Sequence, residues 1–426
     1  MNRNEKSSEP LFGDCKHVLI IGGGSDLVPM LRNVDKNIRT SVFCRPSILN
    51  FVYEIEKNNT VLIIKEEASI QEWIEYARSL HKVDPFDSVV SFAEIDQDKA
   101  AAISESLGLN YHSVSTVEWV HNKFQMRNRL RMTGVEDIPN KLVIYAEEIN
   151  EFGNKYGYPL IVKPSKGRAS VGVSIIQESE EIFEKMDYSI KSKIPRLEQS
   201  SLIVEPYLKG KEYSVEAISE NGQHLILAIV EKYKHELNKV EIGHMVPAEL
   251  DLNTYKEIEN HIIKVLDALE IKFGVTHTEI MLTDKGPRVI ETHVRLAGDD
   301  IPLLIKDSLG VDMMKYIVEQ AAGYSIYDRL KQEIEKGKKT QKGAAIWFIN
   351  TELEGKLCGI ENIDQITKTV GVVEFIPSYE IGMYLEGLKS SYSRLGSIRT
   401  TAETPVKAIN LAKDLADKVK ISISNK

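Results

Sequence analysis

The chain has 426 residues, 42% apolar and 27% charged, the composition of a soluble globular protein of about three domains. Its 63 acidic and 54 basic side chains leave a formal charge of −9, which argues against nucleic acid or an acidic membrane surface as a partner. No apolar run reaches the ~20 residues of a membrane span, and the start, "MNRNEKSSEP", lacks the apolar core of a signal peptide. Cys15, Cys44 and Cys358 are too scattered for a disulfide framework or a cysteine zinc site, so a reducing cytoplasm is the expected setting.

Residues 17–24 read as a buried strand ending in a glycine turn, and 39–44, 61–65 and 88–93 are further short apolar runs. The spacing of Ile70, Trp73, Ile74, Ala77 and Leu80 predicts a helix over 69–83. A second follows Ala93 and closes near Gly108. Strands alternating with helices predict an α/β class with a doubly wound parallel sheet over residues 1–115. The turn "IGGGSDLV" has Gly22 and Gly24 of a dinucleotide fingerprint, but Leu27 stands at the third glycine position. The second strand ends at Cys44-Arg45 rather than in an acidic ribose ligand, so a tight strand-to-helix turn is the better reading.

Beyond 115 the pattern changes. Residues 116–135 read as one helix stopped at Gly134. A strand at 158–165, a small basic loop "SKGRASVG" at 165–172, a strand at 171–176, a helix around 178–192 and a strand at 201–208 follow. Asn221-Gly222 marks a hairpin turn, 251–271 is an amphipathic helix capped by Asp251 or Asn253, and a second hairpin spans 275–295. This region is placed at 116–330, with a small lobe at about 140–208. The last part, 331–426, holds strands at 342–350 and 371–377 and a helix near 404–421. The charged stretch 329–343 reads as a linker or an exposed helix.

Taking Asp284-Lys285-Gly286 as a three-residue turn sets Thr283 opposite Pro287, Glu279 opposite Glu291 and His277 opposite His293, all on one face that Arg295 continues. Two carboxylates directly opposed repel unless a cation lies between them, and oxygen ligands suit Mg²⁺ or Mn²⁺. A zinc site of two His and two Glu, or an exposed charged face, are the alternatives. Lys163 ends a strand ahead of the 165–172 loop, whose backbone N–H groups suit phosphate oxygens, although no Walker A pattern is present.

Four stretches, "HNKFQMRNRL", "YPLIVKPSKGRASVGV", "IVEPYLKGKEYSVEAI" and "HTEIMLTDKGPRVIETHVRLAGDDIPLL", together resemble the ATP-grasp superfamily, in family order over about 120–305. "EIGHMVPAEL" and "RLAGDDIPLL" look most like the bacterial L-amino-acid ligases of the bacilysin-synthetase type. The resemblance implies an N-terminal α/β domain followed by an ATP-grasp fold whose two α+β lobes enclose ATP. It implies that Lys123 and Lys163 contact ATP phosphates, that Ser170 lies in a closing loop, that Glu205 and Leu208 form the adenine hinge, and that Glu212 takes the ribose hydroxyls. Glu279 and Glu291 are implied to hold the metal, with His293 where many members have Asn as a further ligand, and Arg295 to steady the acyl phosphate and tetrahedral intermediate. Glu241 and His244 are implied to line the substrate pocket. Glu94, at the C-terminal edge of a first-domain strand, is a candidate for holding an amino group. His277 is expected to support the metal carboxylates by hydrogen bonding.

The implied activity is ATP-dependent carboxylate–amine ligation of small amino-acid-like substrates through an acyl phosphate, releasing ADP and phosphate, with ATP and Mg²⁺ or Mn²⁺ as cofactors. The rivals are a carboxylase acting on biotin or a purine precursor, a ligase for a carrier-bound or aminoglycoside-type amine, and a nucleotide-binding regulatory protein without turnover. A homodimer is the default arrangement of such an enzyme.

Overall fold

The computed structural model describes residues 16–167, 171–192, 200–236 and 239–424. Four parallel strands come first: β1 (His17–Ile21), β2 (Arg39–Cys44), β3 (Thr60–Ile63) and β4 (Ser88–Val90), in the order β3-β2-β1-β4. Their side chains alternate between two apolar layers. Val18, Ile20 and Val42 meet Val28 and Leu31 of the helix Leu27–Val34 on one face. Leu19, Ile21 and Phe43 meet Trp73 and Ala77 of the helix Ile70–Val83 and Ile103 of the helix Gln97–Leu107 on the other. Continuous apolar strands need both faces covered, and the expected doubly wound sheet is the result.

The single helix expected over 116–135 is two, Val114–His121 and Lys123–Met132. Asn122, at φ −127° and ψ 105°, interrupts the run, and its side chain accepts from the N–H groups of Phe124 and Gln125. Asparagine offers the backbone this local alternative to the helical ladder. The break puts Lys123 on the first turn of the second helix.

A second sheet holds β5 (Lys141–Val143), β6 (Leu160–Pro164), β7 (Ser174–Ile176) and β8 (Leu202–Pro206), antiparallel throughout in the order β5-β8-β6-β7. The helices Ala146–Tyr156 and Ile182–Lys191 close its core through Ile149, Phe152, Ile182 and Met186. Ser170, in the expected phosphate loop, lies outside the described residues.

The large sheet begins with β9 (Lys211–Glu220), β10 (Gln223–Lys234), β11 (Glu241–Val246), β12 (Gly274–Thr283) and β13 (Gly286–His293). It continues with β14 (Gly343–Ile349); then β15 (Glu354–Glu361), β16 (Val372–Pro377), β17 (Tyr384–Glu386), β18 (Gly396–Ala402) and β19 (Lys420–Ser424) follow along the chain. The eight-stranded order is β13-β12-β9-β10-β11-β14-β18-β16, while β17, β15 and β19 form a separate small sheet. Asn221 and Gly222, at φ 51° and 76°, make the tight β9–β10 turn as expected. Asp251 is the cap of the helix Leu252–Ala268, accepting from the N–H groups of Asn253 and Thr254. The stretch 329–343, read as a linker or exposed helix, overlaps the helix Tyr327–Lys338, anchored by Leu330, Ile334 and Gly337 at helical spacing. The final helix is shorter than expected, Pro405–Ala416, because the chain turns into β19.

The turn between β12 and β13 also differs. Gly286, at φ 87°, pairs with Thr283, leaving two residues in the turn, and Leu282 rather than Thr283 faces Pro287. Two-residue turns match the strand twist. Ile290 then bulges out of β13, and the one-residue shift restores Glu279 opposite Glu291 and His277 opposite His293. No helix among the described residues is long and apolar enough to cross a membrane.

Replacing Asn122 with Ala removes the cap of the helix that carries Lys123. A loss of about 1 kcal/mol in urea unfolding is expected; unchanged stability would mean that packing alone starts that helix.

Candidate active site

One face of the large sheet is apolar, with Tyr213, Val215, Ile280 and Val289 in one cluster with Ile258 and Ile262 of the helix Leu252–Ala268. The other carries a band of charge. Glu212, Ser214 and Glu216 come from β9, Lys232 and Lys234 from β10, Glu241 and His244 from β11, His277 and Glu279 from β12, and Glu291 and His293 from β13. Period-two alternation gathers those on β9, β10, β12 and β13; on β11 the register shift opposite Tyr233 and Lys234 brings Glu241 to the face of His244, and the Ile290 bulge keeps β13 in phase.

Lys232 is the centre of this band. Its buried Nζ lies 2.5 Å from Glu241 Oε1, 2.7 Å from Glu279 Oε1 and 3.2 Å from Glu212 Oε1. Burial alone would push the lysine pKa down, but the three carboxylates reverse this and hold it well above the ordinary value. Burial would likewise raise Glu279; Lys232 and His277 outweigh it and keep this carboxyl well below the usual range. Lys234 Nζ takes the second oxygen of Glu212 at 2.6 Å. Oxygens of Glu212, Glu241 and Glu279 lie close enough together for a metal ion, yet the Lys232 ammonium already supplies that cluster with a cation.

His277 sits beneath Glu279, as expected of a supporting residue. Its Nδ1 is 2.7 Å from Glu216 Oε1 and its Nε2 is 3.4 Å from Glu279 Oε1. Ser214 Oγ donates to the same Glu216 oxygen at 2.8 Å. Despite burial, the two carboxylates lift the imidazole pKa to about 9.

The second lysine group comes from the neighbouring elements. Lys123 Nζ is 2.6 Å from Glu291 Oε2 and donates to the Gly167 carbonyl at 3.0 Å. Lys163 Nζ is 2.7 Å from Glu205 Oε2. Glu205 is buried and turned inward, where Arg127 Nε donates to its other oxygen at 2.6 Å. Burial opposes the ionised form, but Arg127 and Lys163 bring this carboxyl down to about 2. Arg127 Nη2 also donates to the carbonyl of the bulged Ile290 at 3.3 Å. Leu208 is half-buried in the stretch joining β8 to β9. At Gly210 in that stretch, a Cβ would lie 2.1 Å from the Leu282 carbonyl oxygen, so only glycine fits.

The first sheet contributes Glu94, from the turn after β4. Arg295 Nε donates to Glu94 Oε2 at 2.7 Å, and His293 Nδ1 lies 3.6 Å from Glu94 Oε1. His293 Nε2 is 3.2 Å from Glu291 Oε1. Burial works against its charged form, but Glu291 and Glu94 raise the His293 pKa. Glu279 and Glu291, which face each other across β12 and β13, could hold a divalent cation. They are opposed carboxylates of the hard-oxygen kind that Mg²⁺ and Mn²⁺ take. Each is balanced by a lysine ammonium that incoming phosphate oxygens would attract.

Four charged groups escaped the sequence reading: Lys232, Arg127, Asp299 and Arg394. His244 is fully buried, with Nε2 3.0 Å from Asp299 Oδ2 and 3.6 Å from Glu241 Oε2. Arg394 Nη1 donates to Asp299 Oδ1 at 2.8 Å. Burial would raise the Asp299 carboxyl, but His244 and Arg394 hold it well below its ordinary range.

Two stretches of the chain and its fold resemble known proteins. A family model for the ATP-grasp domain matches residues 156–303, and one for L-amino acid ligase C-terminal domain 2 matches residues 347–424. The alanine–anticapsin ligase of Bacillus subtilis (strain 168) is 27% identical over 268 residues, 58% of this chain and 57% of that relative's length. An L-arginine-specific L-amino acid ligase of Bacillus subtilis is 25% identical over 316 residues, 73% of this chain and 74% of the relative. Against the crystal structure of the L-amino acid ligase from Bacillus licheniformis the TM-score is 0.77 at 20% identity, over 96% of this chain and 99% of the other. Phosphoribosylglycinamide synthetase from Anaerococcus prevotii shares the fold with a TM-score of 0.69 at 18% identity, over 96% and 100%. The chain thus carries an ATP-grasp domain at residues 156–303 and an L-amino acid ligase C-terminal domain 2 at residues 347–424.

Proposed function

We propose that the protein joins the carboxylate of one amino-acid-like molecule to the amine of another, activating the acid as an acyl phosphate and releasing ADP and phosphate. The observation that carries this reading is the convergence of Glu279, Glu291, Lys123 and Arg295 on one edge of a charged sheet face. The relatives named as alanine–anticapsin ligase and L-arginine-specific L-amino acid ligase support it. The setting is a reducing cytoplasm, in keeping with free Cys44 and Cys358, and the assembly a homodimer.

A carboxylate is a poor electrophile, and phosphorylation gives it a leaving group. Lys123 and Lys163 are suited to hold the transferred phosphoryl oxygens, since each is a buried or half-buried ammonium whose present partner is a carboxylate. A divalent ion held by Glu279 and Glu291 would supply the remaining positive charge. Glu205 and Glu212 orient Lys163 and Lys234 and sit beside the 207–210 link, where adenine and ribose are placed in this reading. Arg295, pinned by Glu94, offers its guanidinium to the oxyanion formed when the amine attacks the acyl carbon. The C–N bond forms as the C–O bond to phosphate breaks, and the amine proton passes to a nearby base.

Pairs of common amino acids with ATP and Mg²⁺ should release ADP and phosphate in step with amide. Oxygen-18 in the acid's carboxylate should reach the phosphate. AMP in place of ADP would overturn the acyl-phosphate route, and bicarbonate-dependent ADP release without an amine would favour a carboxylase. Glu291→Gln should lower kcat by at least about 100-fold while the melting temperature stays near that of the parent. Lys232→Met leaves three part-buried carboxylates without the ammonium they share and should cost about 3 kcal/mol at neutral pH. Because protonation then removes the orphaned charge, thermal melts should show that deficit shrinking as the pH falls toward 5; a pH-independent deficit would mean that lost packing, not charge, is responsible.

A further inference from the structure

His121 stands where the first sheet, the phosphate loop and the large sheet meet, and no step above uses it. It ends the helix Val114–His121, just ahead of Asn122 and Lys123. The titratable groups that act on its ring are Glu94, Asp98, His293 and Lys166, and His112. They come from the turn after β4, the helix Gln97–Leu107, β13, the basic loop after β6 and the stretch leading into its own helix. Lys123 is the residue assigned to the phosphate end of the intermediate. Arg295, held by Glu94, is assigned to the acyl end. His121 borders both.

A short relay of hydrogen bonds fixes the tautomer of this ring. Gln97, fully buried, donates from Nε2 to the Val294 carbonyl at 2.7 Å. A carbonyl only accepts, so the amide oxygen Oε1 is the atom turned to His121, whose Nε2 lies 2.8 Å from it. An amide oxygen also only accepts, so Nε2 carries the proton and Nδ1 the lone pair. Nδ1 has no hydrogen-bond partner among the described residues, and the ring is part-exposed rather than enclosed. A histidine that merely complements the C-terminal end of its helix is stabilised as a cation. Here burial outweighs Glu94 and Asp98 and lowers the pKa, which leaves the ring mostly neutral at pH 7. An oriented neutral imidazole with one free lone pair is the form a general base takes.

We propose that His121 is the general base of amide formation, taking through Nδ1 a proton from the attacking amine. This rests on the amide-ligase reading and supplies the base which that reading leaves unnamed. As the electron pair of the amine nitrogen forms the C–N bond, Nδ1 takes a proton from that nitrogen. The C–O bond to phosphate breaks, and its electron pair leaves with the phosphate. The imidazolium then gives its proton to the released phosphate or to water, which restores the base. Gln97 is a positioning residue: it selects the free nitrogen and ties it to the strand end that carries Arg295.

The test sets two nucleophiles against one acid substrate, with saturating ATP and Mg²⁺. An amino acid's ammonium must lose protons to react, whereas hydroxylamine is uncharged at neutral pH and traps an acyl phosphate unaided. His121→Gln keeps a donor for Gln97 but has no basic nitrogen. It should lower the amide-to-hydroxamate ratio by about 100-fold or more, through kcat rather than the KM of the amine. In the parent, kcat should rise with pH and level off below the ordinary imidazole range, and His121→Gln should lose that limb. Imidazole added to His121→Ala should restore part of the amide. Gln97→Leu frees the tautomer without removing the base; it should lower kcat and keep the limb, and it serves if the His121 variants fail to fold. A parent-like ratio, or a limb that survives in His121→Gln, would overturn the proposal. If no acid gives ADP or hydroxamate, the ligase reading has failed. Nitrogen-15 spectra of the imidazole then decide this one: Nε2–H with an unprotonated Nδ1 at neutral pH supports it, and an Nδ1–H tautomer or an imidazolium refutes it.

Discussion

Three carboxylates share one buried ammonium on the charged face of the large sheet, and the geometry of the site follows from keeping them there. Glu212, Glu241 and Glu279 belong to three different strands, and Lys232 to a fourth. In a dry setting each of these charges is expensive alone and tolerable together. The strands must therefore hold one register. A slip of one residue on β10 would send Lys232 to the apolar face and leave the acids opposed without a cation. The lysine ties the residue assigned to ribose, the one assigned to metal and the one assigned to substrate to a single point, so none of the three can drift independently.

Arg127 performs a similar service between the sheets. It grips Glu205, which holds Lys163, and it caps the carbonyl of Ile290 at the bulge that sets the phase of Glu291. Lys123 lies one helical turn earlier on the same helix and reaches Glu291 directly. One helix, started by Asn122, thus fixes both lysines relative to both opposed carboxylates. A rigid charged scaffold of this kind lowers the reorganisation needed when phosphate charge arrives.

The apolar runs and their spacing made the first sheet legible, because a parallel sheet covered on both faces writes an almost continuous apolar code. The opposed pair Glu279 and Glu291 was legible from parity, although the turn was misjudged by one residue; the Ile290 bulge cancelled that error. The same kind of irregularity hid Lys232. Counting back from the Asn221-Gly222 turn would put Glu231 opposite Glu212, but the shift between Ile226 and Ala228 places Glu231 opposite Tyr213 instead. Bulges depend on packing on both sides of a strand and leave no mark in a single sequence. Asp299 and Arg394 were out of reach for a different reason: they are 95 residues apart and meet only because β18 joins the sheet beside β14. Charge pairs at such separation are created by topology, not by local pattern.

The placement of β14, β18 and β16 in the large sheet has an evolutionary corollary. Residues assigned to the nucleotide and the metal end at position 295, whereas Arg394 and its Phe348 platform lie beyond 347. The wall that Arg394 joins draws on both stretches, since its partners Glu241 and Asp299 lie before 300. The late strands are nevertheless hydrogen-bonded into the same sheet, so recombination between lineages has to respect the β11–β14 seam.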